Sequence, residues 1–248
     1  MKTSTYPDLT AEGIYIVDIP SFTPLYERNM QQQFLPASTT KVITALVTYD
    51  LFDPDNIVTV NRVITEGQTM GLTVGEKITV ENLLYGILVH SGNDAAYALA
   101  DHYGYEKFIE AMNQKAKQLG MNNTHFKNPA GLDDYEQYTT PFDMTLAARE
   151  LLKNKMLSKI VSTRDITVAD SQFINFHRLS NVNKLLGEVH GIGGLKTGYT
   201  DNAGENLISL YKSNGYQYII TILKSRDRFA DTKAVVKWLN GNVEYIKL

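Results

Sequence analysis

Residues 34–47 read FLPASTTKVITALV, with Ser38 three places before Lys41 at the mouth of an apolar run. Val42, Ala45, Leu46 and Tyr49 recur at helical spacing, so 38–51 is expected to be a helix with both polar residues in its first turn. The stretch marks a change of period. On its N-terminal side, GIYIVDI (13–19) and LYERN (25–29), separated by a turn with Pro20 and Pro24, read as two strands of a hairpin.

Beyond residue 51 the pattern is mostly helical. TVGEKITV (73–80) reads as turn and strand, and Thr79 is placed to cap a helix through ENLLYGILVH, ended near Gly92. DAAYALADHYG and YEKFIEAMNQKAKQLG each close on a glycine, Gly104 and Gly120. Thr140-Pro141 supplies a cap and an N1 proline for FDMTLAARELLK. After about residue 160 the alternation of strands returns in GGLKTGYT, ENLISLYK and YQYIITILK, before a closing helix RFADTKAVVKWLNG. The expectation is a mixed α/β (α+β) fold in a single catalytic domain. Its antiparallel sheet joins the N-terminal hairpin to the C-terminal meander (about 1–51 and 159–248), with a helical part inserted at about 52–158. A groove between the two parts is the natural place for a site.

Composition excludes several functions. The 248 residues are 43% apolar and 21% charged with a formal net charge of −3, which offers no basic surface for nucleic acid. The absence of cysteine removes disulfides, thiolate metal sites and a cysteine nucleophile. No apolar run reaches the length of a membrane span, and MKTSTYPDLTAEG at the start has one lysine and no apolar core, so it is not expected to direct export. His90, His102, His125, His177 and His190 show no HExxH or other metal spacing, and no cofactor is expected.

Three short motifs carry chemistry. Ser38-x-x-Lys41 on a helix face lets a hydroxyl and an amine touch, although Ser38 as an N-cap and Lys41 as a solvated residue would fit the same letters. A second such pair, Ser209 and Lys212, falls in a strand, where the two side chains point to opposite faces. HSGND (90–94) puts Ser91 and Asn93 in an interhelical turn where they can converge on one point, and either could also serve as a cap. GGLKTGYT (193–200) follows Lys196 and Thr197 with Gly198, leaving a strand flank that another chain can approach.

In this order the three motifs are specific, and they resemble the serine penicillin-recognising family. PASTTK, SGNDAAYALAD, NNTHFKNPAGLDD and GLKTGYTDNAGENLI look like the low-molecular-mass D-alanyl-D-alanine carboxypeptidases and endopeptidases. The resemblance implies a β-lactamase/transpeptidase-like domain with a five-stranded antiparallel sheet. It also implies a serine D,D-peptidase acting through an acyl-enzyme on peptidoglycan stem peptides, covalently inhibited by β-lactams and working outside the cytoplasm. Ser38 would then be the nucleophile, Lys41 its base and Ser91 a proton relay to the leaving nitrogen. Asn93 would bind the substrate amide and steady Lys41. Lys196, Thr197 and Arg226 would hold the terminal carboxylate, with Arg228 two residues away as the other possible arginine. Gly198 would leave room for the substrate strand, and the backbone N–H groups of Ser38 and Tyr199 would face the oxyanion.

A lysine base must be neutral. Two ammonium groups about 4 Å apart at an effective dielectric near 20 repel by about 4 kcal/mol, roughly three pKa units, so Lys196 is expected to depress Lys41. Two departures stand out. Ala130 occupies the place of a histidine in many relatives, and little chain follows the last helix, so a short form without a β-rich tail domain, or a piece of a longer chain, is expected. A class A-like β-lactamase would need a deacylating glutamate with asparagine four residues on. Glu136 is the nearest candidate, but position 140 is Thr140. A β-lactam sensor domain, acylated without turnover, would carry the same motifs.

Overall fold

The computed structural model describes residues 6–244. In chain order it contains β1 (Gly13–Asp18), β2 (Pro24–Arg28), α1 (Lys41–Leu51), β3 (Ile57–Thr59), β4 (Lys77–Thr79) and α2 (Val80–Leu88). These are followed by α3 (Asn93–Tyr103), α4 (Tyr105–Gln118), α5 (Pro141–Lys153) and α6 (Lys155–Val161). The chain then forms β5 (Asp165–Ala169), β6 (Phe176–Ser180), β7 (Ile192–Thr200), β8 (Gly204–Ser213), β9 (Tyr216–Ser225) and α7 (Arg228–Asn242).

Five strands form one antiparallel sheet in the order β2-β1-β9-β8-β7. Alternation along the strands gives it two apolar faces. Ile14, Ile16, Ile220 and Ile222 pack with Val235 and Trp238 of α7 on one side, while Tyr15, Val17, Ile219 and Ile208 join the core of the helices on the other. The sheet is therefore covered on both faces, as a hydrophobic layer must be. α5 lies directly on it, where the Thr145 and Thr221 hydroxyls meet at 2.7 Å.

The capping expectations hold. Thr79 accepts from Asn82 N at the start of α2, and Thr140 accepts from Asp143 N ahead of Pro141. The nucleophile helix is different. Residues Ala37–Thr40 form one turn of 3-10 helix and the α-helix begins at Lys41, so Ser38 caps nothing. Ala37 at φ +47° and the double acceptance by Pro36 O from Thr39 N (3.2 Å) and Thr39 Oγ1 (2.6 Å) tighten this turn.

The strand expected within 73–80 is β4, and the structure adds its partner β3, the helix α6 and a second small hairpin, β5–β6, that the periodicity does not predict. The second packs against the helical part, with Asn82 Nδ2 donating to Ala169 O (2.8 Å) and His177 Nε2 lying 2.6 Å from Glu76 Oε1.

Candidate active site

β7 is an edge strand of the sheet, and the Ser38 turn lies against it. Asn206 on β8 anchors that turn by donating from Nδ2 to the carbonyls of Leu35 and Pro36, each at 3.0 Å. Lys196 pairs with Ile208 across the ladder, so its side chain shares the helical-side face with Ile208. α3 starts at Asn93, two residues after Ser91, whose φ of +64° is a left-handed conformation that a serine adopts at some cost. Three separate elements thus deliver the motif residues to one cleft of about 540 Å³.

Lys41 is fully buried, and its Nζ has three polar neighbours. Ser38 Oγ lies at 2.9 Å, Asn93 Oδ1 at 2.7 Å and the carbonyl oxygen of Ala130 at 2.7 Å. Asn93 is oriented by its other end, where Nδ2 donates to Glu66 O at 2.8 Å. Lys196, also buried, donates from Nζ to Ser91 Oγ (2.8 Å) and to Thr197 O (2.9 Å).

Burial holds the Lys41 amine well below the ordinary lysine range, the charge of Lys196 adds to the depression, and Asp94 opposes it. The expected repulsion is therefore present but second to desolvation, because full removal from water penalises the ammonium more than the neighbouring charge does. Burial followed by the Arg228 charge brings Lys196 down to about 7.

Of the residues singled out in the sequence, Ser38, Ser91, Asn93, Thr197, Gly198 and Tyr199 line the cleft, and Lys41 and Lys196 contact its serines from below. Two expectations need correction. Arg226 is exposed and absent from the cleft lining, whereas Arg228 reaches it and donates from Nη1 to Gly198 O at 2.8 Å. Arg226 ends β9's turn facing solvent, and Arg228 is first in α7, which rotates it inward. The bare flank of Gly198 is not open space for an incoming strand. A Cβ there would meet Ser38 N at 3.0 Å and Thr39 N at 3.1 Å, so the glycine makes room for the nucleophile's own turn.

Ser209 and Lys212 separate as expected: Ser209 is buried within β8 and Lys212 is exposed. Glu136 pairs with Lys127 at 2.8 Å and lies outside the cleft lining. Sequence reasoning missed Asn206, Asp94 and the segment 66–68. Asn93 holds that segment along the cleft, donating from Nδ2 to Glu66 O and from its backbone N–H to Gln68 O. Asp94 fixes the stretch just after it by accepting from the backbone N–H groups of Met70, Gly71 and Leu72 (2.9, 2.9 and 3.0 Å). A polar residue such as Asn206 inside an otherwise apolar strand was the available signal.

Residues 1–227 match the family described as Peptidase S11, D-alanyl-D-alanine carboxypeptidase. A D-alanyl-D-alanine carboxypeptidase of Bacillus subtilis is 34% identical over 86% of this chain, which spans 57% of that relative's length. A D-alanyl-D-alanine carboxypeptidase of Streptomyces sp. is 32% identical over 95% of this chain and 88% of its own. The crystal structure of a Streptomyces DD-transpeptidase superposes with a TM-score of 0.87 at 32% identity, covering 95% of this chain and 98% of that one. A D-alanyl-D-alanine carboxypeptidase from Francisella tularensis also matches at a TM-score of 0.87 and 30% identity, over 96% of this chain and 72% of its own.

Proposed function

The chain belongs to the D-alanyl-D-alanine carboxypeptidase family of serine peptidases, and on that premise we propose that it cleaves D-alanyl-D-alanine ends or D-Ala cross-links of peptidoglycan stem peptides through an acyl-enzyme on Ser38. Its place of work is then outside the cytoplasm. No helix among the described residues is long and apolar enough to cross a membrane.

One observation carries the reading: the inventory of partners around Lys41 Nζ. Asn93 Oδ1 and Ala130 O can only accept, so they engage two N–H bonds of the amine. A neutral lysine has no third N–H. Its lone pair is left facing Ser38 Oγ at 2.9 Å, the direction from which a serine proton must be taken.

The steps follow from that geometry. Ser38 Oγ attacks the carbonyl carbon of the penultimate D-alanine as its proton passes to Lys41. The backbone N–H groups of Ser38 and Tyr199 would hold the oxyanion. When the C–N bond breaks, the proton taken up by Lys41 is handed on through Ser91 to the leaving amine, with Lys196 orienting the Ser91 oxygen at 2.8 Å. Asn93 keeps one amide hydrogen free after its bond to Glu66 O, enough to receive a substrate carbonyl. Thr197 and Arg228, with Lys196 behind them, make the cationic end for the terminal carboxylate. Water or a second amine then takes the acyl group, which is hydrolysis in the first case and transfer in the second.

Deacylation of a penicillin adduct is slow on this reading. Glu136, the candidate deacylating glutamate, is engaged by Lys127 outside the cleft. The test is intact mass after benzylpenicillin, followed over hours, with Ser38→Ala alongside. A persistent adduct on the parent and none on the variant supports the reading, together with D-alanine release from a D-Ala-D-Ala pentapeptide. Failure of both to appear removes it.

A further inference from the structure

We propose that Asn128 is a positioning residue for Lys41, acting through the backbone carbonyl of Ala130. The inference deepens the functional reading above and rests on Lys41 being the base.

The Asn128 side chain is buried and closes the turn that follows it. Its Oδ1 accepts from three successive backbone N–H groups, those of Ala130 (3.2 Å), Gly131 (2.8 Å) and Leu132 (3.0 Å). Its Nδ2 donates to Leu132 O at 2.9 Å, and the amide of Gln137 donates to the same oxygen at 2.8 Å. With its N–H groups gathered inward, the turn points the carbonyls of Pro129 and Ala130 out. They land on α1. Pro129 O accepts from Thr44 Oγ1 and Ala130 O from Lys41 Nζ, both at 2.7 Å, so two consecutive carbonyls address two successive turns of one helix.

The turn has almost no slack. Gly131 sits at φ +84°, and a Cβ on it would lie 1.8 Å from Ala37 O, in the nucleophile's own turn. Rotation of 128–132 would therefore move the Ala130 carbonyl relative to Ser38. Among the described residues the carbonyl is one of two acceptors, with Asn93 Oδ1, that orient the neutral amine, so its loss frees Lys41 to turn its lone pair away from Ser38. The contact is made by main chain, and the alanine side chain contributes nothing to it. Asp133 holds the far end of the segment, accepting from Thr200 Oγ1 (2.7 Å) at the end of β7 and from Asn202 Nδ2 (2.9 Å) just beyond it.

A residue that only shapes a turn would alter stability or the competent fraction; one that aims the base alters the chemical step. Stopped-flow labelling with a fluorescent penicillin separates them, because its saturation curve yields the acylation constant k2 apart from the binding constant K. For Asn128→Ala, k2 should fall at least about fivefold, with K and the final labelled fraction unchanged. A smaller fall, or a loss confined to K or to the labelled fraction, overturns the proposal. Asn128→Gln, which keeps an amide one methylene further out, carries the same expectation if the alanine variant does not fold. Asn128→Asp keeps the three acceptor bonds and should recover k2 on the alkaline plateau relative to glutamine; equal loss in both overturns the proposal. An unlabelled parent protein would sink the functional reading and this inference together, whereas a labelled parent with unaffected variants sinks the inference alone.

Discussion

Gly198 and Ser38 touch across the seam between β7 and the nucleophile turn: a methyl at position 198 would stand 3.0 Å from the Ser38 backbone nitrogen and 3.1 Å from Ala37 Cβ. That nitrogen is a proposed oxyanion donor, so displacing it by a few tenths of an ångström acts on the transition state. Gly198→Ala should fold, since its Cβ presses mainly on a short turn. Acylation by penicillin should nevertheless fall by about tenfold or more. Unchanged acylation in the folded variant would show that the turn yields without harm.

The two amines set opposite limbs of a pH profile. Lys41 must be neutral to act as base, so acylation rises with pH through its depressed pKa and then levels. Lys196 must be protonated to attract a carboxylate, so kcat/KM for a free D-Ala-D-Ala terminus declines as pH passes about 7. A peptide amidated at its C-terminus lacks the charge that Lys196 attracts and should lose the falling limb. A decline of equal size and midpoint for the amide would assign that limb to another group.

What could be read from the letters, and what could not, follows from the range of the interactions involved. Thr79, Thr140-Pro141 and Gly104 are local signals, and each ends or begins a helix where expected. The five sheet strands were legible because their alternation is strong and both faces are apolar. β5–β6 was hidden because its pattern is inverted: Phe176 is 62% exposed while His177, set against Glu76, is 6% exposed. The motif serines and lysines were legible as a set, but their partners were not. Ala130 reaches Lys41 through a carbonyl that every residue possesses, and Arg228 differs from Arg226 only by a helix start that rotates one inward. The 3-10 turn at Ala37–Thr40 depends on contact with β7 and β8, about 160 residues away in the chain, which periodicity does not see.

Lys196 is kept at a cost to the fold. Its folded pKa of about 7 lies below the unfolded value near 10.4, so between these the unfolded chain binds more protons and stability rises with pH. Below the folded value the full penalty is present. Lys196→Met should accordingly raise the melting temperature at about pH 6, with the gain shrinking toward about pH 10, while carboxylate-bearing substrates are lost. A variant less stable than the parent at the lower pH would mean that the bonds to Ser91 Oγ and Thr197 O outweigh the desolvation.

Asn206 offers the cleanest separation of scaffold from chemistry. It is fully buried, touches neither lysine, and holds the chain before Ser38 through Leu35 O and Pro36 O while accepting from Lys224 N at 2.8 Å. Asn206→Leu fills a similar volume but strands the Leu35 carbonyl and the Lys224 N–H away from water, while Pro36 O keeps its bonds from Thr39. Leaving buried polar groups unpaired costs about 1–3 kcal/mol each at the outside, partly relieved by relaxation, so a loss of about 3 kcal/mol in chemical denaturation is expected. The freed turn should also slow penicillin acylation, because Ser38 is then no longer held against β7. Both effects should appear together. A variant destabilised by that amount yet acylated at the parent rate would show that Gly198 packing alone holds the nucleophile in register, and that the β8 anchor serves the fold only.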